Sequence, residues 1–139
     1  MTRKKSFLQL APLFLTLAAG ALVSVHSADS KATGVQITEP DGKLRIEING
    51  ELFAEYHYKD VSRPFLYPVM ASGNIPVTRD WPMKNSENEE HDHPHHRSLW
   101  YAHGDVNGHD FWSEGANAGK TVHEEFTEMK SGRDVGVIK

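Results

Sequence analysis

The chain of 139 residues contains no cysteine. This excludes a disulfide framework, a lipidated cysteine behind a leader, and any thiolate nucleophile or metal ligand. Positive charge is also scarce, because 15 Lys and Arg stand against 19 Asp and Glu, a formal −4 at pH 7. Such an acidic balance argues against nucleic acid or an anionic membrane surface as a main partner. The sequence has no G-x-S-x-G elbow, phosphate loop or dinucleotide fingerprint. His123-Glu124 lacks the second histidine of a zinc-protease helix, whose place Thr127 occupies. Asp105 to Asp110 fails as a calcium loop, because Ala116 stands where the bidentate glutamate belongs. Beyond residue 27 no apolar run is long enough to cross a bilayer, and no 3.6-residue period is sustained.

What is present begins with a leader. Arg3, Lys4 and Lys5 form a basic head, Phe7 to Val25 are mostly apolar, and small residues precede Asp29, which together read as a secretory signal peptide over 1–27. An uncleaved membrane anchor is the competing reading of the same stretch; Pro12 and the small-residue exit favour cleavage after Ser27. Losing those three basic residues takes the formal charge from −4 to −7. The remainder, 28–139, is expected to be one exported domain, periplasmic or extracellular, with no membrane association after cleavage. Val135 to Lys139 look like a strand just beginning, so the domain is expected to be the N-terminal part of a longer fold.

From Val35 onward the pattern is all-β and antiparallel. Val35 and Ile37 share a face of a first strand, Pro40-Asp41-Gly42 turns, and Leu44, Ile46 and Ile48 alternate with Arg45 and Glu47. Asn49-Gly50 supplies the left-handed pair of a tight hairpin. A third strand, Glu51 to Tyr58, should put Leu52, Ala54, Tyr56 and Tyr58 on one side. Arg63 to Met70 carries Pro64 and Pro68, which suggests an edge strand or an extended segment. Ile75 to Arg79, Ser98 to His103 and Thr121 to Met129 read as further strands. Lys84 to His96 has almost no apolar content and must be a loop.

That loop carries His91, His93, His95 and His96, followed by Arg97. If it runs extended, His91, His93 and His95 project to one side and their imidazoles meet a single metal ion. Neutral imidazole suits zinc, copper, iron or nickel, and Glu89, Glu90 or Asp92 would complete the shell or orient the rings. A merely solvated polar connection has a similar composition. The next stretch, Leu99 to Trp112, interleaves Trp100, Tyr101 and Trp112 with Asp105, Asn107 and Asp110. Flat rings beside paired donors and acceptors are what a carbohydrate cleft needs, although the same rings serve equally as core.

Arg63-Pro64-Phe65-Leu66-Tyr67-Pro68-Val69, Thr78-Arg79-Asp80-Trp81-Pro82, His91-Asp92-His93-Pro94-His95-His96-Arg97-Ser98-Leu99-Trp100 and His103-Gly104-Asp105-Val106-Asn107-Gly108-His109-Asp110-Phe111-Trp112 together resemble the secreted bacterial PmoA family, often labelled methane oxygenase. The resemblance runs from about Leu44 to about His123. It implies a large antiparallel β-sandwich, similar in outline to the galactose-mutarotase-like folds, of which this chain would be an N-terminal fragment.

Three functions follow as expectations. The first is binding of, or action on, carbohydrate, with His95, His96 and His103 as general acids or bases, Arg97 and Asn107 holding hydroxyls or a carboxylate, Trp100 stacking, and Asp105 as partner carboxylate. The second is a transition-metal enzyme, an oxygenase by the family label, with His91, His93 and His95 as ligands. The third is a non-catalytic envelope interaction domain.

Overall fold

The computed structural model describes residues 32–139, so the leader expected over 1–27 lies outside the described residues. The architecture is all-β and antiparallel, the class expected from the sequence. Strands β1 (Val35–Thr38), β2 (Lys43–Ile48), β3 (Glu51–His57) and β4 (Phe65–Ala71) form a meander in chain order. The far side of β4 is shared by two short strands, β5 (Ile75–Pro76) and β6 (Leu99–Trp100). A separate hairpin joins β7 (Met129–Lys130) to β8 (Val137–Ile138).

The β2–β3 connection follows directly from its dipeptide. Ile48 pairs with Glu51, leaving Asn49 (φ 52°) and Gly50 (φ 71°) as the two left-handed residues of a tight turn whose twist matches the strands. Asn49 adds a bond of its own, accepting the Gly34 N–H on Oδ1 at 2.8 Å. The third strand departs from strict alternation. Ile46 faces Ala54 but Glu47 faces Leu52, so Phe53 is the extra residue of a bulge and Leu52 moves to the face of Glu47.

Strand β4 corrects the edge assignment. It pairs with β3 on one side and with β5 and β6 on the other, and Pro68 is accommodated because a second register shift falls opposite it, between the Ala54–Val69 and Tyr56–Leu66 pairs. A proline in a bulge gives up no ladder bond that the strand needs. Three other expected strands shorten: of Ile75 to Arg79 only Ile75–Pro76 forms β5, of Ser98 to His103 only Leu99–Trp100 pairs, and of Thr121 to Met129 only the last residue enters β7. Residues 121–126 run unpaired across the sheet and contribute side chains instead of ladder bonds.

Each face of the main sheet has its own cover. Leu44 and Ala54, 0% and 1% exposed, lie with Ile46, Tyr56 and Leu66 on the face met by the C-terminal segment. There Phe126 and Ile138 join Ile46, Tyr56 and Leu66 around a hollow, and Tyr56, Tyr58, His123 and Phe126 pack ring to ring at 4.1 to 6.1 Å. The hairpin is tied to β1 by reciprocal bonds between Val35 and Gly132 at 2.8 and 3.0 Å. Gly136 is required beneath it, since a Cβ there would stand 2.5 Å from Val35 Cγ1. The opposite face divides into a charged half, where Glu55 takes Lys43 at 2.6 Å and Arg45 at 3.1 Å, and an aromatic half built on Phe65, 5% exposed. Trp100 stands directly across from Phe65 on that second half, and the polar loop is laid over it.

Candidate metal and ligand site

The histidine segment is not extended. His96 N–H donates to the His93 carbonyl at 2.9 Å, which makes His93-Pro94-His95-His96 a β-turn with proline at its second position. The fixed φ of Pro94 suits that place, and His93 takes φ 40° to enter it. The turn folds His96 back beside His93, their rings stacked at 4.6 Å and 7°, with His95 at 4.4 Å from His96 and 5.6 Å from His93. His93, His95 and His96 each present a ligand atom within 4.8 Å of the others. Of the expected trio of His91, His93 and His95, the structure brings His93 and His95 together, with His96 beside them in place of His91. His91 lies outside the cluster and stacks on Trp81 at 4.2 Å and 15°, because the turn replaces the two-residue alternation on which its membership depended.

The loop leading into the turn is held by charge. Glu89 accepts the N–H groups of Asp80 and Trp81, both at 2.9 Å, and Arg79 donates to the carbonyl of Glu90 at 2.8 Å and to Asp92 Oδ1 at 2.9 Å. Asp80 is itself bound by Ser86, by Tyr67 at 2.8 Å and by Lys84 at 3.2 Å. The Ser86 and Tyr67 hydroxyls hold its carboxyl below the ordinary range. The Tyr67 phenol, by burial and then by this carboxylate, is pushed up to about 12. Glu89 thus serves the backbone rather than an ion. Asp92 stays near the cluster, with Oδ2 3.6 Å from His93 Nε2. His96 is held below its ordinary range, by burial first and then by the His95 and His93 rings and Arg79, outweighing Asp92. Neutral imidazole, the form that ligates metal, is thereby favoured.

Behind the cluster stands a wall of two indoles. Trp100 and Trp112 lie 5.2 Å apart, His96 is 5.7 Å from the first and 5.5 Å from the second, and the Trp112 Nε1–H donates to His95 Nε2 at 3.0 Å. What places Trp112 is Arg63, 2% exposed, whose guanidinium donates to the carbonyls of Phe111 (2.6 Å), Trp112 (3.0 Å) and Ser113 (2.5 Å) and lies 4.9 Å over the Trp100 ring. Arg97 is bound bidentately by Glu114 at 2.7 and 2.8 Å, and Ser62 donates to the same carboxylate at 2.7 Å. Glu114 is held below its ordinary range by the Arg97 bond, which outweighs burial. Arg97, expected to hold substrate, is engaged within the protein.

The remaining expected residues gather elsewhere. His103, Asp105 and Asn107 line a separate hollow of about 430 Å³ with Tyr101, Val106, Phe111 and Thr121. A tight turn shapes it, for Val106 and His109 exchange both backbone bonds across Asn107 (φ 55°) and Gly108 (φ 81°). Asp105 accepts the Gly108 N–H on Oδ1 at 2.7 Å, and His103 Nδ1 accepts the Asp105 N–H at 3.3 Å. The structure therefore brings His95, His96 and Trp100 together and leaves His103, Asp105 and Asn107 in a second place.

Sequence reasoning missed the organising roles of Arg63, Arg79, Glu89 and Glu114. Only the Arg63 position carried a signal, a lone cation ahead of an apolar run, which has to find partners if the run is buried. The ions that pin the loop lie 8 to 50 residues from what they hold, beyond any local pattern.

Fold and site define an all-antiparallel β protein with an open imidazole cluster set against an indole wall. Over residues 43–139 the chain matches the Family of unknown function (DUF6807), and it belongs to that family. No curated protein and no solved structure matches it.

Proposed function

We propose that this chain binds a transition-metal ion through His93, His95 and His96, with the Trp100 and Trp112 rings standing behind the three imidazoles. The observation that carries the reading is the approach of the three ring nitrogens to within 4.8 Å of one another on a two-sided polar turn. Ligands of a tetrahedral ion with bonds of about 2.0–2.1 Å lie closer than this bound, and small rotations of solvent-facing rings close the difference. An all-imidazole set favours zinc, copper, iron or nickel over calcium or magnesium. Three protein ligands leave at least one position for water or substrate, the pattern of catalytic rather than closed structural sites. A bound ion there would supply Lewis acidity or, for copper or iron, redox chemistry. The likeness to the PmoA family and its oxygenase label, and export directed by residues 1–27, belong to this proposal.

Elemental analysis of purified protein tests it. Near-stoichiometric metal is expected, lost in His93→Ala and His96→Ala and retained in His91→Ala, whose ring packs on Trp81. Protein that stays metal-free after exposure to zinc, copper, iron and nickel salts sinks the reading.

A carbohydrate reading has its own observation, the second hollow. Tyr101 is 80% exposed there, and among the described residues no hydrogen bond engages the Asn107 side chain or Asp105 Oδ2. A flat ring beside a free amide and a free carboxylate oxygen suits a sugar face and its hydroxyls. Calorimetry with a panel of neutral sugars and uronates should show binding that Tyr101→Ala weakens. No heat with any of them removes this reading, and failure of both readings leaves an interaction domain.

A further inference from the structure

The imidazole cluster contains one bond that a metal ion cannot leave intact. Trp112 Nε1–H donates to His95 Nε2 at 3.0 Å, so that nitrogen is the acceptor and the ring proton of the neutral imidazole resides on Nδ1. The donor is fixed from behind. The backbone N–H of Trp112 donates to Asp110 Oδ1 at 2.6 Å, and the carbonyls on either side of and at Trp112 are clamped by Arg63, so the indole is aimed by a pinned segment. An imidazole lone pair serves a proton donor or a metal, not both. If His95 ligates through Nε2, the indole N–H must be released. If it ligates through Nδ1, its own proton moves to Nε2 and confronts the indole N–H, donor against donor. Both routes break the same bond.

Resting on the metal reading above, the geometry points to Trp112 as a gating residue of the metal site: its indole N–H holds His95 in a metal-free tautomer, and entry of an ion releases it. Trp112 is a positioning residue, since it touches a ligand rather than the ion. Breaking this bond costs the same for every ion, so the gate lowers affinity uniformly and leaves the order of preference among ions to the imidazole set. Because Trp112 is 45% exposed, water receives the freed N–H without rearrangement of the sheet.

Titration of the purified protein with zinc, a redox-inert ion, separates the possibilities. Calorimetry gives the affinity, and the indole N–H resonance of Trp112, identified by its disappearance in Trp112→Phe, follows the bond. The expected result is zinc binding accompanied by a shift of that resonance toward the position of a water-bonded indole, and binding roughly 2–10-fold tighter in Trp112→Phe, the equivalent of one ordinary hydrogen bond. Zinc binding with a stationary Trp112 resonance overturns the gate and leaves the metal site standing. Should Trp112→Phe fold poorly, the resonance in the unsubstituted protein still decides, with assignment by backbone-linked experiments. If no zinc binds at all, the gate fails, and the metal reading is decided by the copper, iron and nickel exposures.

Discussion

Replacing Arg63 should damage this protein more than any surface charge change, and the structure gives the size of the effect. Arg63→Met keeps the aliphatic stem and removes the guanidinium. Three charge-assisted bonds to the Phe111, Trp112 and Ser113 carbonyls vanish, as does the contact over Trp100, and Glu114 loses a cation 3.7 Å away. Hydrogen bonds to a charged group contribute about 1.5–3 kcal/mol each, but three made by one side chain are not additive, and burying the cation carries its own desolvation cost. Breaking such a buried arrangement costs about 3–5 kcal/mol, a large share of the roughly 5–15 kcal/mol that stabilises a domain of this kind. Only three hydrophobic residues, Leu44, Ala54 and Phe65, are buried among those described, so the core offers little reserve. Urea denaturation followed by far-ultraviolet circular dichroism should move its midpoint down by roughly 1.5–2.5 M at a slope of about 2 kcal/mol/M. Arg63→Lys, which retains the charge but loses the planar fork that reaches three successive carbonyls, should fall between, and it supplies the measurement if the methionine variant cannot be purified. A loss below about 1 kcal/mol in Arg63→Met, within the ordinary range of point changes, would refute the claim that one buried cation holds the 111–113 segment.

Asn49→Ala should cost about 1–2 kcal/mol in thermal denaturation, because it deletes the bond to the Gly34 N–H and places a Cβ-bearing residue without a local partner at φ 52°. Asn49→Gly should recover the backbone share only. Acid should weaken the fold through Glu114: its folded pKa lies below its ordinary value of 4.5, so its contribution is present above that value and disappears as pH falls through the lower folded one. Glu114→Gln should flatten the stability–pH curve in that acid window, and an unchanged slope would show that the Arg97 pair contributes nothing to it.

Much of the fold was legible because its causes are local. Alternation along 35–48 and again over 54–57, the Asn49-Gly50 turn and the strand-breaking composition of 84–96 are decided by neighbouring residues, and the structure reproduces them, with the bulge at Phe53 the exception. Pro68 misled for a physical reason: a proline costs a central strand a bond only where the ladder is regular, and here a bulge absorbs it. The run to Met129 has strand-like alternation, yet pairing requires a partner edge, and the chain places 121–126 over a sheet face instead. The convergence of the histidine loop with Trp100 could be anticipated from their adjacency in sequence. The turn that exchanges His91 for His96 could have been read from Pro94, which suits the second place of a β-turn as well as it disfavours a helix.

The sequence by itself determined the antiparallel β class, the hairpin positions and the chemical type of the candidate ligands, all of which depend on residue identity and short-range spacing. Tertiary structure alone decided that Trp112 faces His95, that Arg97 is committed to Glu114, and that His103, Asp105 and Asn107 form a separate hollow. The difference has one physical origin. A buried guanidinium must find acceptors wherever the chain supplies them, and Arg63 finds its own 48 to 50 residues away.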